Sequence, residues 1–259
     1  MRPCLGYALA AALMATAGAA GLVCARKPAS RDKVIAAYAT SLAHRSLGQI
    51  ENTLSAARAL DGAVVPPGGV FSFNRRVGPW TADRGYRRAP VSYDGEITLA
   101  AGGGVCQLST TVYGAALLGG MEVLERHRHW WPVSYARPGL DAAVAFPSID
   151  LRFRNPLRAP VRLGVRRSGE RLIVELLSTA SPGRCSIETE RLALDPPATL
   201  VRREEGLAPG QVVRANRGQA GQEVAVYRVR RVAGETERTL ISVDAYPALN
   251  RIIKIGAGP

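Results

Sequence analysis

The sequence predicts an α+β fold in which one helix packs on an antiparallel sheet, followed by a small β-rich C-terminal extension. Three observations predict it. Apolar residues at helical spacing (Val105, Leu108 and Val112) follow directly after three glycines at 102–104. Beyond residue 120 the hydrophobic period changes from 3.6 to 2, which is typical of strands. After Ser181-Pro182-Gly183 the chain holds fewer core residues but another hairpin pattern.

The elements before the glycines are predicted as two helices and a strand-rich stretch. Residues 26–48 have the spacing of a short helix, and residues 50–60 form a better helix that ends at Asp61-Gly62. Residues 64–74 follow as strand, turn and strand, around Pro66-Pro67-Gly68-Gly69. Many turn formers make residues 75–101 a long loop with short strands near Val91 and Ile97.

The elements after the cysteine helix are predicted as strands. Alternation of apolar and polar residues predicts strands at 121–129, 142–146 and 149–154. Residues 161–165 and 172–176 alternate around Ser168-Gly169, which predicts a hairpin. A second hairpin is predicted from residues 224–229 and 239–243. The predicted domains are therefore 26–180 for the α+β domain and 181–259 for the β extension.

Residues 1–25 are predicted to be a signal peptide or an N-terminal membrane anchor rather than part of the folded domain. Arg2 precedes an uncharged apolar run from Leu5 to Ala25, with small residues suited to cleavage near its end. The run is also long enough to cross a bilayer once. We therefore expect the protein to be exported, to the outer face of the cytoplasmic membrane or to the cell wall.

The composition favours an anionic partner. The formal net charge is +13 at pH 7, and such a surface attracts polyanions. Because the basic residues are scattered and no nucleic-acid-binding motif is present, nucleic acid is not an expected partner. A cell-wall polymer, or an anionic membrane surface, fits an exported protein better; a basic surface without a dedicated ligand is the alternative.

Cys106 is the candidate nucleophile. It falls in the first turn of the predicted helix, where free N–H groups and the helix dipole stabilise a thiolate. His127 and His129 lie on the following predicted strand, and Asp141 and Asp150 on the next ones. This chain order is that of papain-like and transglutaminase-like thiol enzymes, in which the histidine deprotonates the thiol and the acid orients the histidine. The alternative is a buried structural Cys106 with histidines that only bond locally.

A zinc site built from the two histidines and a carboxylate is a further alternative, but only three histidines exist and no second Cys or His ligand motif accompanies them. We expect no metal and no cofactor. The remaining cysteine beyond residue 25 is Cys185, and we predict that it does not pair with Cys106.

The motifs together identify a resemblance. Phe71-Ser72-Phe73-Asn74, the run 102–111 around Cys106-Gln107, and Glu125-Arg126-His127-Arg128-His129 resemble the VanW family over about residues 45–178. Tyr246-Pro247 belongs to a tail resembling the β extension that often follows this domain. The family consists of bacterial envelope-associated proteins, some encoded in vancomycin-resistance clusters.

The resemblance implies an accessory envelope protein, connected with peptidoglycan or the response to glycopeptide antibiotics, without an established reaction. The alternative is a thiol enzyme acting on peptidoglycan peptides or amine–acyl linkages. Its residues are Cys106 as nucleophile, His129 as base, and Asp141 or Asp150 as the orienting acid. The resemblance favours His129 over His127. The candidate binding residues are Gly104, Gln107, Ser109 and Trp130.

One departure from the family pattern affects the expected groove. The chain reads His129-Trp130-Trp131-Pro132, where family members are expected to carry His-Ser-Leu-Pro. Two tryptophans replace smaller residues there, so the neighbouring surface is expected to differ in shape. A tryptophan in such a position lines a carbohydrate or peptide groove, or simply packs against the core.

Overall fold

The computed structural model describes residues 32–93, 96–232 and 234–257. It is mostly β, with 47% strand, 17% helix, three α-helices and five sheets across the described residues. The predicted α+β fold, with a helix packed on one antiparallel sheet, is therefore wrong, although one part of the molecule remains mixed. The physical reason is that the strands form several small sheets around α3 instead of one continuous sheet.

The first part of the chain, up to residue 178, holds all three α-helices. Its elements in chain order are β1 (Lys33–Ser41), α1 (Leu47–Leu60), β2 (Val64–Val65), β3 (Val70–Ser72), α2 (Phe73–Val77), β4 (Arg88–Tyr93), β5 (Glu96–Ala101), α3 (Val105–Leu118), β6 (Glu122–Glu125), β7 (Arg152–Arg154), β8 (Val161–Ser168) and β9 (Arg171–Ser178). They form a four-stranded sheet in the order β1-β9-β8-β2, a three-stranded sheet β3-β7-β6, and the hairpin β4-β5.

The predicted helix over residues 26–48 is wrong where the structure describes it, because residues 33–41 form β1. This strand pairs antiparallel with β9, with Tyr38 opposite Val174. The ring of Tyr38 occupies the space above Gly114 of α3, where an added Cβ would lie 2.4 Å from its Cδ1 atom. Strand pairing and this packing override the helix propensity of an alanine-rich segment.

The helices predicted at residues 50–60 and directly after the three glycines are confirmed as α1 and α3. Helix α1 starts with a capping box, in which the Gln49 N–H donates to Ser46 Oγ and the Ser46 N–H donates to Gln49 Oε1. Helix α3 is buried over almost its whole length, which makes it the centre of the core. It packs against β1 and β9 on one side and α1 on another.

The strands predicted between residues 121 and 154 are shorter than expected. Strand β6 ends at Glu125, and β7 contains three residues. Between them only the isolated bridges His127–Ala143 and Ala145–Ile149 connect the chain segments. The hairpin predicted at 161–176 is confirmed as β8 and β9.

The second part of the chain is all β in its described residues. Its strands are β10 (Arg184–Asp195), β11 (Thr199–Glu204), β12 (Val212–Asn216), β13 (Gly221–Val232), β14 (Glu235–Tyr246) and β15 (Arg251–Gly256). They form the sheets β10-β13-β14 and β11-β15-β12, and the predicted hairpin of 224–229 with 239–243 is confirmed. The domain boundary near residues 181–183 stays a prediction.

The two parts of the chain meet at the turn before Asp141. Val226 of β13 is fully buried and belongs to the same hydrophobic cluster as α3. Gly139 has φ +85°, and a Cβ there would lie 2.5 Å from Val226 Cγ2. This close approach to β13 requires glycine, and the Gly139 N–H also donates to the Tyr246 hydroxyl at the end of β14.

The predicted signal peptide or anchor at 1–25 lies outside the described residues. Within the described part of the chain, no helix has both the length and the apolar character needed to cross a membrane.

Candidate active site

The three consecutive glycines place Cys106 at the start of α3. Gly102 and Gly104 have φ of +82° and +107°, a region that favours glycine. A Cβ on Gly103 would lie 2.7 Å from the Pro90 carbonyl oxygen, and one on Gly104 would lie 2.3 Å from the Gln49 carbonyl oxygen. The glycine turn therefore lies against both α1 and β4. It begins α3 with Gly104 as the N-cap, so that Cys106 is the second helical residue.

His129 and His127 point in different directions, because the regular strand ends at Glu125. The His127 side chain is 47% exposed and lies 3.2 Å from Glu125 Oε1, whereas that of His129 is 21% exposed. The buried Arg126 precedes them. The inward residues are thus 126 and 129, so the two histidines do not share one face as a regular strand would require.

Asp141 holds His129 in a fixed orientation. Its Oδ2 atom accepts hydrogen bonds from the backbone N–H of His129, at 2.7 Å, and from the ring Nδ1, at 2.6 Å. The Asp141 side chain is 1% exposed. Burial raises the pKa of this carboxyl, but the His129 hydrogen bond and the Arg126 charge outweigh it, so the net pKa is lowered and Asp141 is ionised.

The thiol of Cys106 donates a hydrogen bond to the Val144 carbonyl oxygen, at 3.4 Å, and interacts with the neighbouring His129 side chain, which shifts the pKa values of both groups. Since Nδ1 faces Asp141, the other ring nitrogen, Nε2, is the one available to sulfur. Burial raises the pKa of the Cys106 thiol, but the hydrogen bond and charge of His129 outweigh it, so the net pKa is lowered. Burial lowers the pKa of His129, whereas its bonds to Asp141 and Cys106 raise it to about 9. The arrangement favours a thiolate–imidazolium pair at neutral pH.

The N-terminus of α3 leaves a hydrogen-bond donor beside the sulfur. The N–H of Val105 bonds the Gly102 carbonyl and that of Gln107 bonds the Gly104 carbonyl. The backbone N–H of Cys106, between them, has no backbone or side-chain partner among the described residues. A donor in this position can receive the oxyanion that forms when the neighbouring sulfur attacks a carbonyl carbon.

Asp150 lies outside this group. Its Oδ1 atom accepts from the backbone N–H groups of Asn74 and Leu151, both at 2.8 Å, and its Oδ2 accepts from Ser72 Oγ at 2.5 Å. These bonds fasten the start of α2 to the segment before β7. The structure thus brings Cys106, His129 and Asp141 together, and it gives Asp150 a position at another helix start.

The candidate binding residues fall into two groups. Gln107 and Ser109 are buried: Gln107 Nε2 donates to the Ser41 carbonyl at 2.7 Å, and Ser109 Oγ donates to the Ala142 carbonyl at 2.6 Å. Gly104 forms the tight turn. Only Trp130 is open to solvent, with 63% of its surface exposed. It lines a cleft of about 400 Å³ together with Arg128, Asp195, Glu223, Tyr246 and Pro247.

Sequence reasoning missed three side chains that lie around Cys106, His129 and Asp141. Arg126 and Tyr246 both bond Asp141 Oδ1, at 3.1 and 2.5 Å. The ring of Tyr135 meets His129 edge-on, with centroids 6.4 Å apart. Arg126 and Tyr246 both fall in stretches that carry the family resemblance, but nothing in the local sequence shows that either of them, or Tyr135, lies beside Asp141 or His129.

Cys106 and Cys185 are both free thiols. Among the described residues, no group of three or more His, Cys, Asp or Glu side chains is arranged to hold a metal ion.

Comparison with known proteins gives a family match over the residues that form this site. The sequence model of a family described as "VanW like protein" matches residues 48–177. The "Uncharacterized protein YoaR" of Bacillus subtilis (strain 168) is 35% identical over 142 residues, covering 55% of this chain and 47% of that protein. The "Vancomycin B-type resistance protein VanW" of Enterococcus faecalis (strain ATCC 700802 / V583) is 28% identical over 139 residues, covering 52% of this chain and 50% of that protein. The chain thus spans about half the length of these curated relatives.

A solved structure titled "IgA1 Protease G5 domain structure" overlaps 31% of this chain and all of that chain, at 19% identity and a TM-score of 0.21. A likeness at that score supports no statement about this chain.

Proposed function

Because the chain belongs to the family of VanW like proteins, with the family match covering Cys106, His129 and Asp141, we propose that it is a thiol enzyme of the bacterial cell envelope. Its reaction is acyl transfer or hydrolysis at amide bonds of peptidoglycan peptides. The single observation that carries this proposal is the grouping of Cys106, His129 and Asp141: the His129 ring bonds Asp141, and its interaction with Cys106 lowers the pKa of the thiol.

The proposed reaction has two steps. In the first, the Cys106 thiolate attacks the amide carbonyl carbon, the C–N bond breaks, and the His129 imidazolium gives its proton to the leaving amine. The product is a thioester on Cys106. In the second, water or an acceptor amine gives a proton to His129 and attacks the thioester, which restores the thiolate–imidazolium pair. The Cys106 N–H stabilises the oxyanion in both steps.

The cleft lined by Arg128, Trp130 and Tyr246 is the proposed position of the polymer. Trp130 offers an exposed aromatic ring, and the Arg128 guanidinium carbon lies over that ring, 5.6 Å from its centroid. Asp195 and Glu223 add carboxylates at the rim. Aromatic stacking with planar polar side chains around it suits a glycan or peptide strand.

Export and attraction to the wall follow from the same proposal. The apolar residues 5–25 support export, and the net charge of +13 supports association with anionic wall polymer or anionic membrane surface. A connection with glycopeptide antibiotics is supported by the Enterococcus relative, which is named as a vancomycin resistance protein. An accessory, non-catalytic role in the envelope would need the same localisation but no turnover.

Mass spectrometry of the intact protein tests the reaction. After incubation with purified muropeptides that carry full peptide stems, the wild-type chain is expected to show an acyl adduct on Cys106 or released cleavage products. Cys106→Ala should show neither, and His129→Asn should lose at least about 100-fold in rate. His127→Asn is the matched control, because its ring is exposed and bonds only Glu125. Binding of wall polymer without adduct or product would instead support the accessory role.

A further inference from the structure

The C-terminal strands reach the buried acid of the site. Tyr246, the last residue of β14, donates its hydroxyl proton to Asp141 Oδ1 at 2.5 Å. The same hydroxyl oxygen accepts the backbone N–H of Gly139 at 2.8 Å. Since Asp141 Oδ2 is occupied by His129, Tyr246 holds the opposite edge of the carboxylate. The two residues are 105 positions apart in the chain.

A second connection runs through Arg126. Its Nη1 atom bonds Asp244 Oδ1 of β14 at 2.5 Å, while Nη2 bonds Asp141 Oδ1 at 3.1 Å. Its Nε atom donates to the Asp141 carbonyl at 2.6 Å. The Arg126 side chain is only 5% exposed, so the pairs are shielded from solvent. One guanidinium therefore ties the acid of the site to the C-terminal sheet.

A third connection reaches the backbone of His129. The guanidinium of Arg128 lies 5.3 Å from the Tyr246 ring centroid and donates from Nη1 to the His129 carbonyl at 2.8 Å. Tyr246 thus contacts the carboxylate directly and faces the arginine that precedes His129.

We infer that Tyr246 is a positioning residue for the Cys106–His129–Asp141 group, and that the site is complete only when the C-terminal strands are docked on the family domain. The inference rests on the proposed function. Tyr246 touches no reacting atom; it fixes the carboxylate plane, and this fixes the ring of His129. Burial and the charge of Asp141 raise the pKa of Tyr246, so its hydroxyl stays a donor at the pH values where the thiolate forms.

The test is a double-mutant cycle on the full chain, with Tyr246→Phe, Asp141→Asn and the two combined. The readout is the rate of iodoacetamide alkylation of the Cys106 peptide, followed by mass spectrometry across pH. In the wild-type background, Tyr246→Phe is expected to raise the pH midpoint and to slow alkylation at pH 7 by about tenfold, as for loss of a hydrogen bond to a charged group. In the Asp141→Asn background it should have little further effect.

A purely structural role would give another pattern. It would lower the melting temperature equally in both backgrounds and leave the alkylation midpoint where it is. Tyr227→Phe is the matched control, because it removes a hydroxyl from the same sheet on a ring that packs against Arg238 instead of the site. It should leave the midpoint unchanged.

The outcomes separate the two proposals. A low wild-type midpoint that Tyr246→Phe does not move, or equal effects of Tyr246→Phe in both backgrounds, would overturn the positioning role alone. A wild-type midpoint in the range of a free thiol, roughly 8.5, would overturn the proposed function and the positioning role with it.

Discussion

At the residue scale, Asp141 organises the site. It accepts four hydrogen bonds, from the His129 backbone, the His129 ring, Arg126 and Tyr246. A carboxylate with both oxygens occupied inside the protein stays ionised and holds one orientation. This makes His129 the partner of Cys106 and keeps its ring protonated through neutral pH.

The pH dependence of Cys106 follows from this pair. Thiolate is the reactive form, so alkylation is expected to rise with a midpoint below roughly 8.5, the value of a free thiol. Acyl transfer also needs the imidazolium, and should therefore fall above pH about 9, where His129 loses its proton. His129→Ala removes the lowering partner but leaves the thiol buried, so the alkylation midpoint should move above that of a free thiol. An unchanged midpoint in His129→Ala would contradict the pairing; His127→Ala is the control.

The sequence predicts which residues could form the site, but it predicts only in part which of them contact one another. The predicted helix start identified Cys106 as the candidate nucleophile, and the family motif favoured His129 as its partner. Both are signals in the local sequence. The choice between Asp141 and Asp150 stayed open, because both belong to the strands predicted after the histidines, and only three-dimensional packing places Asp150 at the start of α2. The contact of Tyr246 with Asp141 could not be predicted, since the two residues lie more than a hundred positions apart in the chain.

At the element scale, the start of α3 depends on the space that the glycines leave for α1. The turn at 102–104 passes so close to the Gln49 carbonyl and to β4 that side chains are excluded there. The glycine run and the helical spacing predicted this helix correctly. Residues 33–41 show the opposite case: alanine-rich helical spacing was overridden by pairing with β9, a long-range contact that local patterns do not encode.

Substitution at Gly104 should expose this constraint. Gly104→Ala combines an unfavourable φ of +107° with a contact of 2.3 Å to the Gln49 carbonyl oxygen, and is expected to cost about 3 kcal/mol or more of the free energy of unfolding. Gly62→Ala is the matched control, with φ +75° but open space around its Cβ, and should cost about 1 kcal/mol. Urea denaturation measures both. Equal losses would show that backbone strain alone, without the clash, accounts for the effect.

At the scale of the whole molecule, the two parts of the chain share one core and one set of buried ion pairs. Val226 of β13 lies in the hydrophobic cluster centred on α3, and Asp244 pairs with Arg126. The sequence predicted a β extension after residue 181, but it did not predict this contact with the first part. Few core-type residues occur in the extension, and the contact depends on single residues such as Val226 and Asp244.

The shared core predicts one cooperative unfolding transition. All three tryptophans, at 80, 130 and 131, precede residue 181, so their fluorescence reports on the first part and, through Trp130, on the cleft that it lines with Tyr246, whereas far-ultraviolet circular dichroism reports on the secondary structure of both parts. Val226→Ala removes two buried methyl groups and should lower both midpoints together, at a cost of about 2 kcal/mol. Val243→Ala, on a half-exposed side chain of β14, should change them little. Separate transitions for the two signals would contradict a shared core.

The pairing of β1 with β9 limits how the molecule can be divided. The family match begins at residue 48, but β1 ends at Ser41 and covers one side of β9, whose other side pairs with β8. A chain cut to the matched residues would leave the backbone N–H and C=O groups along that side of β9 without partners, and would empty the space that the Tyr38 ring fills over Gly114. An uncovered sheet edge recruits strands from other molecules. Such a fragment is therefore expected to self-associate, and to do so less when a synthetic peptide of residues 32–42 is supplied in trans.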